Sequence, residues 1–152
     1  MASNSTNNDR PRLIPRLAYQ DADAAIGFLS DAFGLSETAR FAPAGQIIHA
    51  ELAMNGETII AVSSISHGVQ SPKTLGGNTT HLFCYVDDVD SHCEQARNAG
   101  AQVLDEPTDQ PWGERSYDVL DIEGYLWTFR KHVEHVSLDE LATKLGYNCE
   151  QS

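Results

Sequence analysis

The chain has 152 residues, 41% of them hydrophobic, with 10 Lys and Arg against 22 Asp and Glu and a formal net charge of −12. This length suffices for one domain with a sizeable core. Negative charge without an offsetting Lys/Arg cluster repels phosphate backbones, so the composition excludes nucleic acid as a partner.

The apolar residues and cysteines bear on the compartment of the protein. No apolar run approaches the roughly 18 residues of a membrane span, and no secretory signal pattern is present. The three cysteines, Cys84, Cys93 and Cys149, form an odd set without a C-x-x-C pair. A reduced, cytoplasmic setting is therefore expected rather than a disulfide framework.

Residues 1–10 are polar and lack periodicity, which predicts a disordered tail. A strand over 13–19 follows, and Asp21 is positioned to cap a helix that ends at Gly34. The apolar positions of this helix have helical spacing: Ala22, Ala25, Ile26, Leu29, Ala32 and Phe33. Three strands are predicted next, over 37–42, 46–54 and 58–63, to complete a first module at about 11–66.

The pattern restarts after a Ser-, Gly- and Pro-rich loop at 64–80, and a second module is predicted at about 79–133. Its strand over 81–86 leads to a helix capped by Asp88, 67 positions after Asp21. A strand over 102–104 follows, then a hairpin of strands 114–120 and 125–131 around Glu123-Gly124. Each module is therefore βαβββ, and the fold class is α+β.

Residues 134–152 are predicted to form a C-terminal helical tail. Ser137 and Glu140 match a capping box, in which each side chain satisfies a free backbone N–H of the first turn. Leu138, Leu141, Ala142 and Leu145 form an apolar stripe. Because a short helix is marginal alone, we expect it to pack on the body or on a partner subunit.

Three segments carry a family resemblance: D-A-D-A-A-I-G-F-L-S-D-A-F-G at 21–34, H-L-F-C-Y-V-D-D at 81–88, and W-G-E-R-x-Y…D-x-E-G-Y-L-W-T-F at 112–129. Over about 13–133 the chain resembles the vicinal oxygen chelate superfamily, in its glyoxalase/bleomycin-resistance-protein-like branch. The resemblance implies a single domain at 11–133 whose two modules curl into a cup. It also implies a homodimer, since relatives commonly complete their cups across a two-fold axis.

The resemblance also addresses metal binding. Metal-using relatives place ligands on the first and last strand of each module, and the matching positions here are Ile14, Ile60, His81 and Thr128. Only His81 is suited to ligate a divalent metal. We therefore expect no metal and no other cofactor.

Strand alternation predicts which side chains face the cup. Phe83 and Tyr85 share the face of His81, and His49 and Glu51 lie opposite an apolar set in the first module. The repeat assigns Arg115 and Tyr117 to the same face in the second module, and Trp112 lies in a loop that can act as a lid. The predicted ligand-binding residues are His49, Glu51, His81, Phe83, Tyr85, Trp112, Arg115, Tyr117 and Thr128.

Structural alternatives remain open for this set. His81 can be hydrogen-bonded within its strand, and the aromatic residues can be core. His49 and Glu51 can pair with each other or with Arg115. Trp112 can be a plug that only stabilises the end of the cup.

Two classes of function follow from the resemblance. The favoured hypothesis is metal-independent binding and sequestration of an aromatic or planar small molecule, an antibiotic or metabolite, with no catalytic residue. The alternative is an enzyme of the same fold, a lyase, isomerase or dioxygenase-type protein, with or without a divalent metal. His49, Glu51 or His81 would then be the acid or base.

Overall fold

The computed structural model describes residues 10–147 and contains two modules with the same element order. The first consists of β1 (Arg16–Tyr19), α1 (Ala22–Phe33), β2 (Ser36–Phe41), β3 (His49–Met54) and β4 (Glu57–Ser64). The one-turn helix α2 (Pro72–Leu75) lies in the connection. The second consists of β5 (His81–Tyr85), α3 (Val89–Asn98), β6 (Gln102–Asp109), β7 (Glu114–Leu120) and β8 (Leu126–His132). Helix α4 (Leu138–Leu145) follows. The predicted βαβββ repeat and the α+β class are confirmed.

Each module forms one four-stranded mixed sheet. The strand orders are β1-β4-β3-β2 and β5-β8-β7-β6, and the first and last strands of each module pair in parallel. Arg16 pairs with Ala61, and Phe83 pairs with Thr128. Both members of the second pair lie 67 positions after those of the first. One constant step therefore relates the two sheets.

The two long helices begin where the sequence predicts. Asp21 Oδ1 accepts the N–H of Ala24 at 3.0 Å, and Asp88 Oδ1 accepts the N–H of Ser91 at 3.0 Å. Each contact satisfies a donor that has no partner within its own helix. The apolar faces of α1 and α3 then turn to the core, where the helices pack on each other and join the modules.

The aromatic core lies between the modules. The ring of Phe33, at the end of α1, lies 5.4 Å from Trp127 and 4.8 Å from Phe129 of β8, centroid to centroid. Trp127 and Phe129 face the helices, as predicted, and Thr128 between them faces away. The concave face of each sheet is therefore left on the side opposite the helices.

Three strands differ from prediction by at least three residues at one end, and β3 is one of them, beginning at His49 rather than at residue 46. β1 begins at Arg16 rather than at residue 13. β6 continues to Asp109, well beyond the predicted end at 104, through irregular pairing with β7 on either side of Asp105. Such bulges accommodate a residue without an N–H, which here is Pro107.

The tail helix α4 has the predicted caps. Ser137 Oγ accepts the N–H of Glu140 at 3.1 Å, and Gly146 ends the helix at φ 76°. No residue of α4 is fully buried, although Leu141 and Ala142 are half-buried, and packing of the helix on the body or on a partner subunit stays a prediction. The predicted N-terminal tail, apart from Arg10, and Cys149 lie outside the described residues. Among residues 10–147, no helix is long and apolar enough to cross a membrane.

Candidate functional site

The concave face of the second sheet encloses a cavity of about 530 Å³. Strands β5, β6, β7 and β8 and the β6–β7 turn supply its wall, so all of the wall comes from the second module. The lining residues are His81, Phe83, Asp105, Glu106, Thr108, Gln110, Trp112, Ser116, Tyr117, Asp118, Thr128 and Arg130. Four of the nine predicted ligand-binding residues, His81, Phe83, Trp112 and Thr128, present their side chains here.

A hydrogen-bonded chain crosses the floor of this cavity. Thr128 Oγ1 donates to Asp118 Oδ1 at 2.5 Å and lies 2.7 Å from His81 Nε2. Because the single hydroxyl proton of Thr128 is given to the carboxylate, His81 must donate from Nε2. This hydrogen bond orients the ring with Nε2 towards Thr128 and leaves Nδ1 as the other polar atom of the imidazole.

Aromatic rings and an arginine form the second part of the wall. The guanidinium carbon of Arg130 lies 4.1 Å from the ring centroid of Phe83 and 5.8 Å from that of Tyr85. Arg130 Nη1 donates to the buried carboxylate of Glu114 at 3.0 Å. This pair fixes the guanidinium under the rings, yet the Phe83 side chain remains 57% exposed and faces the cavity. Tyr85 is also exposed, but it lies outside the cavity wall.

Trp112 lies in the turn between β6 and β7 and is 41% exposed. The turn is fixed at the next residue, because the carbonyl oxygen of Gly113 accepts the N–H groups of Val133 and Glu134 at 2.8 and 3.0 Å. Gly113 has φ 94°, and a Cβ there would lie 2.1 Å from the carbonyl oxygen of Glu134. Only glycine therefore fits, and it keeps the Trp112 turn against the segment that follows β8.

Two carboxylates lie side by side in the cavity. Asp105 of β6 is the register partner of Asp118 of β7, so both point from the same face of the sheet. Hydrogen bonding to Asp118, together with the charge of that carboxylate, raises the pKa of Asp105. The site is therefore acidic as well as aromatic.

His49 and Glu51 lie on the concave face of the first sheet, away from this cavity. His49 Nε2 is 3.2 Å from Glu51 Oε1, which also accepts from Arg10. The hydrogen bonds with His49 and Arg10 lower the pKa of Glu51. Of the alternatives for these two residues, the structure contains the mutual pair and no contact with Arg115.

The prediction that Arg115 and Tyr117 face the cup is wrong. Tyr117 is 1% exposed, and its hydroxyl donates to Nδ1 of His92 at 2.6 Å on the helix side of the sheet. Arg115 binds Asp90 at 2.8 Å and Asp109 at 3.1 Å, outside the cavity. Tyr117 is among the residues that border the cavity, but side chains alternate along β7, so its neighbour Asp118 faces inward.

The prediction that Ile60 lies at a ligand position is also wrong. Ile60 is 2% exposed and belongs to the core. Ile60 was assigned by counting from the glycines of the two hairpin turns, Gly56 and Gly124, which are 68 positions apart. An irregularity between Leu52 and Ala53 shifts the pairing of β3 with β4, so this count is wrong by one residue in β4. The equivalent of Thr128 is Ala61, 67 positions earlier. The first module therefore presents Ile14 and Ala61 at the two ligand positions, and neither side chain can bind a metal.

Sequence reasoning missed several wall residues, Asp105 and Asp118 foremost. Applied to Glu51, the 67-residue step that relates the helices leads to Asp118. The sequence therefore contained a signal for Asp118. It contained none for Asp105, because the strand was predicted to end at residue 104.

The described residues contain no group of three or more His, Cys, Asp or Glu side chains arranged to hold a metal ion. His81 already bonds Thr128, whose hydroxyl is committed to Asp118. Metal-free binding nevertheless stays a prediction that solution measurements must test.

A family model described as the Glyoxalase/Bleomycin resistance protein/Dioxygenase superfamily matches residues 13–129. An uncharacterised protein of Mycobacterium bovis and one of Mycobacterium tuberculosis are each 37% identical to the chain over 144 residues, 91% of it. The match covers 95% of the former and 85% of the latter.

Two solved structures are similar in fold. The crystal structure of TioX from Micromonospora sp. ML1 has a TM-score of 0.65 and 31% identity, covering 84% of this chain and 100% of that one. The crystal structure of TnmS3, an antibiotic binding protein from Streptomyces sp. CB03234, has a TM-score of 0.63 and 19% identity. The match covers 78% of this chain and 93% of TnmS3. With the model match and the two modules, these findings assign the family: the chain belongs to the glyoxalase/bleomycin resistance protein/dioxygenase superfamily.

Proposed function

We propose that this protein binds an aromatic or otherwise planar small molecule in the cavity of its second module and holds it without chemical change. The observation that carries the proposal is the exposure of the Phe83 and Trp112 rings in the wall of a cavity of about 530 Å³. This volume is in the range of small-molecule sites. Aromatic rings bind planar ligands by offset stacking.

The comparisons support this proposal without naming a ligand. TnmS3 has the same fold and is described as an antibiotic binding protein. At its level of identity the likeness extends to the fold only, so an antibiotic is one candidate ligand class beside a metabolite. The polar floor of His81, Thr128 and Asp118 would orient such a ligand through hydrogen bonds.

We further propose that two copies of the chain pair about a two-fold axis, with the first module of one copy over the cavity of the other. Within one copy, large apolar side chains stay exposed on both modules, with Phe41 at 61% and Tyr85 at 60%. The face offered by the first module carries Arg16 on β1, opposite in charge to the acidic cavity. Such pairing would bring His49 and Glu51 of the partner subunit beside the ligand.

Three tricyclic probes of matched size test the binding proposal: acridone, which is neutral, 9-aminoacridine, which is a cation near neutral pH, and anthracene-9-carboxylate, which is an anion. Equilibrium dialysis should show saturable binding of at least one probe, at one per chain, and chromatography should recover it unchanged. Phe83→Ala should weaken this binding several-fold, because a stacking ring is lost. Tyr147→Ala, which removes an exposed ring from the tail, is the matched control. Failure of all three probes to bind would refute the proposal.

A second candidate, an enzyme of the same fold, is favoured by the His81–Thr128–Asp118 chain. The hydrogen bond to Thr128 occupies Nε2 of His81, so only Nδ1 is left to contact a substrate. A catalytic role predicts a product that forms with wild-type protein and fails to form with His81→Gln. A binding role predicts that the probe stays intact with both.

A further inference from the structure

The two carboxylates of the cavity, Asp105 and Asp118, have an unusual arrangement. They are directly opposed on neighbouring antiparallel strands, and like charges in that position repel. Asp118 is half-buried, and one of its oxygens accepts the hydroxyl of Thr128. Hydrogen bonding to Asp118, and next the charge of that carboxylate, raise the pKa of Asp105. The cavity therefore concentrates negative charge on one side.

No cation among residues 10–147 forms an ion pair with either carboxylate. The arginines nearest the cavity are committed elsewhere. Arg97 binds Glu106 through Nη2 at 2.6 Å, and Arg130 binds Glu114. Both arginines are thus neutralised by other acids, and the charge of Asp105 and Asp118 is left for a ligand.

We infer that the ligand of this cavity is a planar aromatic molecule that carries a positive charge, and that Asp105 and Asp118 bind that charge. The inference rests on the proposed function and specifies its ligand class: an aromatic ring system with an amine, an amidine or a protonated ring nitrogen. The rings of Trp112 and Phe83 line the same cavity, and aromatic faces attract cations as well as stack on planar groups. The net charge of −12 adds a long-range attraction for cations.

The competing account is that the two carboxylates share a proton and that the cavity takes a neutral ligand, for which Asp105 donates a hydrogen bond. The two accounts differ in the charge of the preferred ligand and in the effect of Asn at these positions. Asparagine keeps the shape of the side chain and an oxygen that can accept from Thr128, but it removes the charge.

The test compares the dissociation constants of 9-aminoacridine, acridone and anthracene-9-carboxylate for the full chain. The cation should bind about tenfold more tightly than the neutral probe, and the anion should show no saturable binding. Asp105→Asn combined with Asp118→Asn should raise the dissociation constant of the cation about tenfold and change that of acridone by less than about twofold. Asp31→Asn, at an exposed position of α1 outside the described cavities, removes a charge without touching the site. Its dissociation constants should match those of the wild type.

The outcomes separate the inference from the proposal on which it rests. Equal binding of acridone and 9-aminoacridine, unchanged by the double substitution, would overturn the cationic ligand and leave the proposed binding function standing. If Asp31→Asn lost as much affinity for 9-aminoacridine as the double variant, the preference for a cation would come from the net charge of the protein. The proposed role of Asp105 and Asp118 would then be overturned. Absence of binding by all three probes would overturn both. Circular dichroism and the melting temperature of each variant confirm that the compared proteins are folded.

Discussion

The hydroxyl group of Tyr19 in β1 donates a 2.6 Å hydrogen bond to Oδ2 of Asp121, 102 positions later in the chain. Trp127 Nε1 donates to the same oxygen at 3.1 Å, and the backbone N–H groups of Glu123 and Tyr125 donate to Oδ1. One buried carboxylate thus joins the first strand of one module to the last hairpin of the other. Burial raises the pKa of Asp121, and these four hydrogen bonds oppose that rise.

Asp121→Ala should lower the free energy of unfolding by about 3 kcal/mol, because it leaves buried donors of Tyr19 and Trp127 without an acceptor. Urea denaturation followed by circular dichroism measures this change. Asp31→Ala, at an exposed position, should stay within about 0.5 kcal/mol of the wild type. A denaturation midpoint of Asp121→Ala equal to that of the wild type would show that the module junction does not depend on this carboxylate.

His92 should make stability depend on pH. Its Nε2 donates to the carbonyl of Phe33 at 2.9 Å, Nδ1 accepts from Tyr117, and burial lowers its pKa below the ordinary 6.5. The unfolded chain therefore takes up this proton at a higher pH than the folded chain. The stabilising contribution is complete above pH 6.5 and is lost as the pH falls from there towards the folded pKa.

His92→Gln should flatten this part of the pH profile, since glutamine can still donate and accept but does not titrate. Urea midpoints at a series of pH values between about 7.5 and 5 measure the slope, which is about 1.4 kcal/mol per pH unit while one proton is taken up. His135→Gln, at an exposed position after β8, is the control and should keep the wild-type slope. Identical profiles for wild type and His92→Gln would contradict the prediction.

Trp112→Ala should weaken binding of the tightest-binding probe by about tenfold, or 1.4 kcal/mol. The melting temperature should be nearly unchanged. The reason is that Trp112 is partly exposed and lines the cavity. In a Trp127→Phe background, fluorescence of the remaining Trp112 should be quenched on titration with the probe. A melting temperature lowered by many degrees, with affinity per folded molecule intact, would identify Trp112 as a plug that stabilises the fold.

Protein dialysed against a chelator should bind no tight stoichiometric Zn²⁺, Ni²⁺, Mn²⁺ or Fe²⁺. The positions that metal-using relatives would employ are occupied by Ile14, Ala61, His81 and Thr128, which provide one strong ligand. Isothermal titration followed by elemental analysis measures any bound metal. One ion per chain that is lost in His81→Ala would replace the binding function with the enzyme alternative.

Light scattering at micromolar protein should yield twice the chain mass of 16.7 kDa. Tyr85→Asp should shift the mass towards the monomer, because a charge would enter the proposed interface. Tyr147→Asp, which changes another exposed ring in the tail, should leave the dimer intact. Dissociation in Leu141→Asp but not in Tyr85→Asp would assign the interface to α4 instead.

Local patterns were sufficient for the elements and the repeat. Asp21 and Asp88 begin their helices, Gly34 and Gly146 end theirs, and the βαβββ order follows from them. These features depend on residues a few positions apart, whose hydrogen bonds form within one turn of chain. The alternation of side chains along β5 and β8 also follows from the local sequence, so His81, Phe83 and Thr128 were assigned to the correct face of the sheet.

The tertiary structure alone decided that β6 continues past residue 104 and brings Asp105 into the cavity beside Asp118. Bulges on either side of Asp105 and between Leu52 and Ala53 shift the register, and a shift of one residue turns every following side chain to the other face. The irregularity between Leu52 and Ala53 displaces the first hairpin turn by one residue, so counting from the two turns assigned Tyr117 to the cup. The regular pairing of β7 with β8 instead puts Asp118 beside Thr128 in the cavity. Register depends on pairing with strands that are distant in the sequence, and no local pattern in the chain specifies it.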